Sequence, residues 1–341
     1  MDSSKFLEYL KKTYPKRKDL NILNLQNITS GWETEIESFD LEWTSDESKV
    51  SQALVVRIFP GKGAAQKAEK EYRVMKQLED INYPVPTVYI IETDETIIGG
   101  PFIIMDRLDG GTLDVAMNQS DETREIWGKV FCKLFVDLHS ADWKSMVSED
   151  EQKQFEDPFF ATKSGLSHFR RVLEETGGQD LLPIIEWMEE RIKTVPCETP
   201  SITHNDFHGF NIMLDENENT FIIDWGALRI IDSRFDLAWT LLLYFAYGNL
   251  DMRNNLLKGY ELVAGESVDQ IEFFEVFACL RRLHDISSSI SKGAEEHGMR
   301  PEAVQMMKES VGHVINVRNR LKDLTGIEIP SVDAMIEELS K

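Results

Sequence analysis

The chain has 341 residues, 42% hydrophobic and 28% charged, the composition of a globular protein long enough for two cored domains. Its formal net charge of −23 repels phosphate backbones and argues against a nucleic-acid partner. No apolar run reaches the roughly 18–20 residues of a membrane helix, the start "MDSSKFLEYLKK" has no signal core, and three scattered cysteines (Cys132, Cys197, Cys279) suit a reducing compartment, so a cytoplasmic location is expected.

The predicted elements begin with a short amphipathic helix near residues 3–13. "WETEIESFDLEW" (32–43) alternates polar and apolar residues as a half-buried strand does, and its phase slips by one at Ser38–Phe39, which predicts a bulge. "TSDESK" (44–49) is a turn, and the β-branched run "ALVVRIF" (53–59) predicts the next antiparallel strand. "PGKG" ends that strand, and residues 64–80 form a strong helical pattern. A phosphate loop at "PGKGAA" would need Gly at 56 and Ser or Thr at 63; the chain has Val56 and Gly63, so Lys62 is expected in a plain turn. "TVYIIET" (87–93) and "PFIIMDRL" (101–108) complete a small antiparallel sheet with one helix. From "DGGTL" (109–113) the period changes, with apolar residues at helical spacing over 121–143, near 166–176 and 180–194, and again from about 235 to the end. The expected fold class is therefore α+β, with a sheet lobe over 1–107 and a mainly helical lobe over 108–341.

Two short strands interrupt those helices, and they carry "HNDFHGFNIML" (204–214) and "NTFIIDWG" (219–226). His204, Asp206 and His208 alternate, so on a strand they would face one side and suit a metal-dependent hydrolase. Such a site needs three firm ligands, and most other histidines fall in helical segments without paired spacing. A second chemistry uses Asp206, Asn211 and Asp224. Phosphoryl transfer needs a positioned acceptor hydroxyl and cations on the phosphates. A carboxylate at Asp206 can hold the hydroxyl or accept its proton, and Asn211 and Asp224 supply hard oxygens of the kind Mg²⁺ prefers. The order Asp206-x-x-x-x-Asn211, then Asp224-Trp225-Gly226, follows the kinase pattern Asp-x-x-x-x-Asn then Asp-Phe-Gly.

"THNDFHGFNIMLDENENTFIIDWG" (203–226) resembles the catalytic segment of aminoglycoside phosphotransferases and related small-molecule kinases, such as choline and macrolide kinases. That resemblance implies a two-lobed protein kinase-like fold, with a catalytic loop at 204–211 and a metal strand at 221–226. It also implies ATP or GTP as phosphate donor, Asp206 as the catalytic residue, and Mg²⁺ on Asn211 and Asp224. "DSRFDLAWTLL" (232–242) resembles the family's Asp-Leu-Ala, where Asp236 would anchor the loop; alone it would pass for a helix N-cap. "ITSGWETEIESF" (28–39) sits where the family covers the nucleotide phosphates, which assigns Ser30 and Gly31 there. Arg57 stands in place of the phosphate-binding Lys, and the two cations are not interchangeable. Glu71 matches the helix acid that pairs with that cation, with Glu69 as its competitor. Met105, Asp106 and Leu108, in "PFIIMDRLDGGTL", match the segment that binds the base through its backbone, and His204 and His208 would shape the loop.

The implied partner is a small-molecule hydroxyl. Net charge is −4 up to residue 107 and −19 beyond it, a field that would steer an amine-bearing acceptor such as an aminoglycoside. Trp239, Tyr244, Phe245 and Tyr247 would stack on such an acceptor or fill the core. Two alternatives remain at this stage: a nucleotide-binding but catalytically weak scaffold, suggested by Arg57 and a glycine-poor loop, and the hydrolase above. A protein kinase is disfavoured because nothing after "DWG" resembles an Ala-Pro-Glu segment. Monomer and homodimer are both compatible with the sequence.

Overall fold

A computed structural model describes residues 2–28, 35–46, 48–197, 199–292 and 311–340. Its contacts divide the chain into two compact units. The first combines residues up to Thr112 with Ile212–Gly226. The second combines Leu113–Asn211 with the described residues from Ala227 onward.

The first unit is built on a five-stranded antiparallel sheet. Its strands are β1 (Lys18–Asn27), β2 (Glu35–Ser45), β3 (Ser48–Ile58), β4 (Val88–Glu92) and β5 (Phe102–Asp106), in the order β1-β2-β3-β5-β4. Sequence periodicity missed β1, whose "KDLNILNLQN" alternates poorly and is mostly exposed. β2 and β3 pair without interruption from Glu35↔Ile58 to Ser45↔Ser48. The irregularity expected at Ser38–Phe39 exists, but the extra residue lies on β1. Leu23 faces Asp40 while Gln26 faces Ser38, and Asn24 between them takes a left-handed φ of 53°. Helix α1 (Ser3–Thr13), capped by the Asp2 carboxylate, sets Phe6 edge-on to Phe39 and Phe102 in the sheet's core. Helix α2 (Ala64–Asp80) follows a turn at Gly61–Gly63, with Lys62 exposed.

The hairpin of β7 (Ile212–Leu214) and β8 (Thr220–Ile222) groups with the sheet unit, not with the helical part where the sequence boundary put it. Backbone bonds explain this. Gly110 N–H donates to the Leu214 carbonyl, Leu214 N–H to the Gly111 carbonyl, and Ile222 N–H to the Pro84 carbonyl. Gly110 permits the approach, because a Cβ there would lie 2.4 Å from the Asp215 oxygen.

The second unit is helical. Its main helices are α3 (Leu113–Met117), α4 (Asp121–Ser140), α5 (Glu149–Gln154), α6 (Phe160–Thr176), α7 (Leu182–Arg191), α8 (Ser233–Tyr247), α9 (Leu250–Ala264), α10 (Ile271–Lys292), α11 (Val311–Thr325) and α12 (Pro330–Leu339). A two-stranded ladder pairs β6 (Ser201–Thr203) with β9 (Arg229–Ile231). The core takes Phe131, Phe135 and Leu138 from α4 and Leu237, Leu241 and Leu242 from α8, all essentially fully buried, and Phe131 lies against Tyr244 of α8. Glu275 on α10 has no exposure and is neutralised by Arg253 and Arg320, at 2.9 and 2.6 Å. A buried carboxylate is tolerated only when paired in this way. Among the described residues no helix is long and apolar enough to cross a membrane.

Candidate active site

The residues singled out by sequence fall into two sets, each held within one unit. In the first unit, Arg57 on β3 is 9% exposed and uses both ends of its fork. One nitrogen lies 2.8 Å from a carboxylate oxygen of Glu71, the other 2.9 Å from Oδ1 of Asp224. Glu71 is 2% exposed on the inner face of α2, whereas its competitor Glu69 is exposed. Asp224 follows β8 with a φ of 69°, a left-handed conformation that Asp adopts more readily than most residues. Trp225 beside it is fully buried, edge-on to Tyr83, with its indole N–H on the Ile222 carbonyl. That anchor leaves the Asp224 carboxylate about half exposed (48%).

Met105 and Asp106 end β5. The Asp106 N–H is taken by the Thr87 carbonyl and the Arg107 N–H by the Ala53 carbonyl, so both donors are used within the sheet. Leu108 follows directly, and the Asp106 carboxylate accepts from the Tyr89 hydroxyl at 2.7 Å. Ser30 and Gly31 lie outside the described residues.

In the second unit the loop from His204 to Asn211 is held by a single face of α8. Asp236, Trp239 and Thr240 stand at i, i+3 and i+4 and so project together. Asp236, with no exposure, accepts the N–H groups of His204 (2.6 Å) and Asn205 (2.7 Å). Trp239 donates its indole N–H to Oδ1 of Asp206 at 2.9 Å, and the Thr240 hydroxyl donates to the Phe207 carbonyl at 2.8 Å. Four successive loop residues are thus read by one helix. Asn205 takes a φ of 65°, which asparagine accommodates at low cost, and its amide ties back to Thr203 and Ala227. The Phe207 ring, with no exposure, stacks on Phe135 at 4.2 Å.

Behind Asp236, His139 on α4 lies 3.2 Å from its Oδ2 and 2.8 Å from the Tyr260 hydroxyl. An ionised carboxylate only accepts, so the His139 Nε2 donates to it and Nδ1 accepts from Tyr260. Burial, aided by the negative charge of Asp236, pushes the Tyr260 hydroxyl well above its usual range and keeps it protonated for that donation.

Asp206 has a 38% exposed side chain. Desolvation by its neighbours works to raise its pKa. The bond and charge of His208, the Trp239 N–H and the charge of His204 together outweigh it and hold the carboxyl well below the usual carboxylate range. The Asn211 amide nitrogen donates to the Asp206 carbonyl at 3.0 Å and lies 3.4 Å from its carboxylate and 3.3 Å from His208. With its nitrogen so engaged, Asn211 has its carbonyl oxygen as the end suited to a cation. The donor set fits Mg²⁺, which takes one or two side-chain oxygens and completes its shell with waters and phosphate oxygens. It does not fit the hydrolase alternative. Among the described residues no three His, Cys, Asp or Glu side chains cluster as a metal cage, and His204 is fully buried against Phe207.

The sequence profile of the phosphotransferase enzyme family matches residues 35–274. The chain belongs to that family. Solved structures agree on the fold of this phosphotransferase family member. The gentamicin complex of APH(2″)-IIa superposes with a TM-score of 0.57 at 20% identity, covering 94% of this chain and 98% of that one. The streptomycin–ATP ternary complex of APH(2″)-IIa gives 0.54 at 21% identity, covering 85% and 89%. The fold is thus that of the protein kinase-like aminoglycoside phosphotransferases. Among curated proteins, Probable acyl-CoA dehydrogenase IBR3 of Arabidopsis thaliana is 25% identical over 220 residues. Those residues are 59% of this family member but 26% of that relative, so the chain spans about a quarter of its length.

The sequence reading assigned Asp206 and Asp236 to this region but overlooked Trp239 as a partner of the carboxylate, Thr240, and the His139–Tyr260 pair. The spacing Asp-x-x-Trp-Thr was a usable signal, since it puts three polar groups on one helical face. His139 and Tyr260 are 121 residues apart, and no local pattern links them.

Proposed function

We propose that this chain transfers the γ-phosphoryl group of ATP or GTP to a hydroxyl of a small molecule. The observation that carries this reading is Asp206: an ionised, partly exposed carboxylate whose Oδ1 is fixed by Trp239 and whose loop is held by α8. In the step, the acceptor oxygen forms a bond to the γ-phosphorus and the bond from that phosphorus to the β–γ bridging oxygen breaks, releasing the nucleoside diphosphate. The hydroxyl proton passes to Asp206. A carboxylate with so low a pKa is a weak base, so its main work is to hold the hydroxyl in line, with the proton leaving late.

Asn211 and Asp224 are the residues that would hold Mg²⁺, which when bound neutralises developing charge on the phosphates. Arg57, steadied by Glu71, is the cation for the nucleotide phosphates. The Asp106 and Arg107 amides being occupied, the Leu108 amide is the donor for the base. Ser30 and Gly31 complete the phosphate-binding assignment.

Asp206→Asn is the test. The variant should bind nucleotide as wild type does and lose at least ~10²-fold in kcat, the scale of a positioned proton acceptor. Retention of most of the wild-type rate would end the assignment.

A further inference from the structure

The chain carries 60 acidic against 37 basic residues, and its buried guanidinium groups are neutralised by carboxylates. One cationic group beside the 204–211 loop is paired less closely. Arg281 on α10 sits over the Trp239 ring, its guanidinium carbon 3.8 Å from the centroid, and donates one N–H to the Asn205 carbonyl at 3.0 Å. Trp239 is the residue whose indole N–H holds Asp206, so Arg281 stands one ring away from that carboxylate. Its nearest carboxylate is Asp285, 3.8 Å away and about half exposed. Arg229 on β9 is exposed and, among the described residues, has no carboxylate within 4.0 Å. Arg229 is the ladder partner of Thr203, two residues before the Asn205 whose carbonyl takes Arg281, and desolvation and the charge of Arg281 both lower its pKa. Desolvation and the charges of Arg229 and Arg171 likewise lower the pKa of His168 on α6, against a smaller pull from Glu175. Like charges crowded on an acidic protein cost free energy unless an anion joins them.

We propose that the acceptor of this phosphotransferase carries an anionic group, a carboxylate in the simplest case, seated between Arg281 and Arg229 while its hydroxyl faces Asp206. The substrate class is a small hydroxy acid, in place of the cationic acceptor that net charge alone suggests. Guanidinium forks match a carboxylate in shape as well as charge. Arg281 already spends one donor on Asn205, which ties occupancy of the anion seat to the loop bearing Asp206. This assignment rests on the phosphotransferase reading above.

The test uses matched acceptors on one carbon skeleton, 3-hydroxybutyrate, 3-hydroxybutanamide and 4-amino-2-butanol, and a series of longer hydroxy acids with their amides and amines. Each is assayed with ATP and Mg²⁺ and, separately, by calorimetric titration of Asp206→Asn protein. The acids should exceed their amides and amines at least about tenfold in kcat/KM, the worth of one charge-assisted hydrogen bond. Arg229→Gln, which leaves the loop contacts intact, should raise KM for the acids by a similar factor and leave kcat and the amides within about twofold. Arg281→Gln should do the same, with an added fall in kcat through Asn205. The proposal falls if amides or amines match the acids, if Arg229→Gln and Arg281→Gln bind the acids as wild type does, or if no acid binds. If the acids bind in an Arg229-dependent manner but no acceptor is phosphorylated, the anion seat stands and the phosphotransferase reading falls instead.

Discussion

Asp236→Asn isolates the contact on which the 204–211 loop depends. In the folded chain this fully buried carboxylate receives three donors: the amides of His204 and Asn205 at 2.6 and 2.7 Å, and the His139 ring at 3.2 Å. Asparagine offers one oxygen and one NH₂ group in the same volume. If the oxygen stays on Asn205, the NH₂ group faces the His204 N–H and His139. His139 can answer by changing tautomer, turning Nε2 into an acceptor and Nδ1 into a donor to Tyr260. The His204 N–H cannot, and it loses its acceptor on residue 236. Loss of a charge-assisted bond removes about 1.5–3 kcal/mol, and an orphaned buried donor costs about 1–3 kcal/mol more. The expected destabilisation is therefore about 2.5–6 kcal/mol, which brackets the range found for breaking buried charged pairs. Urea unfolding followed by far-ultraviolet circular dichroism measures it, with the midpoint falling at unchanged slope. Turnover should fall with it, because the strain lands on the residue two before Asp206. A variant within about 1 kcal/mol of wild type would refute the claim that Asp236 carries the loop.

Arg57→Met removes the guanidinium that lies 2.8 Å from buried Glu71 and should cost about 3–5 kcal/mol in the same assay, with Arg57→Lys intermediate because one ammonium cannot span Glu71 and Asp224 as the fork does. Wild-type stability in Arg57→Met would show that the pair is incidental. Phe135→Ala removes a fully buried ring stacked on Phe207 and should lower stability by about 3–5 kcal/mol, read from the urea midpoint. Trp239→Phe deletes a bond to the ionised form of Asp206 and should raise the pKa of that carboxyl, read by carbon NMR of the side chain. The sign follows for stability. A depressed folded pKa contributes stability above the unfolded value, near 4, that disappears as pH falls through the folded one, so this contribution shrinks in Trp239→Phe. An unmoved titration would remove Trp239 from the account of Asp206.

The sheet, its helix and the change to helical periodicity were legible because their residues are neighbours in sequence. The α2 range 64–80 follows from apolar spacing alone. β1 was not legible, since an edge strand with little burial has no reason to alternate. The hairpin's attachment to the sheet was also hidden. It rests on backbone bonds at Pro84, Gly110 and Gly111, and main-chain bonds leave no mark in composition. At the site, the spacing of Asp206, Asn211 and Asp224 stood out because one short segment carries all three. The face of α8 that holds Asp206, and the pair behind Asp236, depend on contacts across 30 to 120 residues. Net charge pointed toward a cationic acceptor, while the anion seat proposed at Arg229 and Arg281 points the other way, since a sum over the chain says nothing about where the charges stand.

The interleaving of the two units has a consequence for how the chain is made. The stretch that finishes the sheet unit, ending at Gly226, is translated only after Leu113–Asn211, which belongs to the other unit. A nascent chain released from the ribosome at Thr112 would lack Trp225 against Tyr83 and would leave the Pro84 carbonyl without the Ile222 amide. Cloning boundaries drawn after the last strand of the sheet should therefore yield a sticky fragment, and a permutant that joins 212–226 directly to the end of the first segment is the shorter route to a self-standing sheet module.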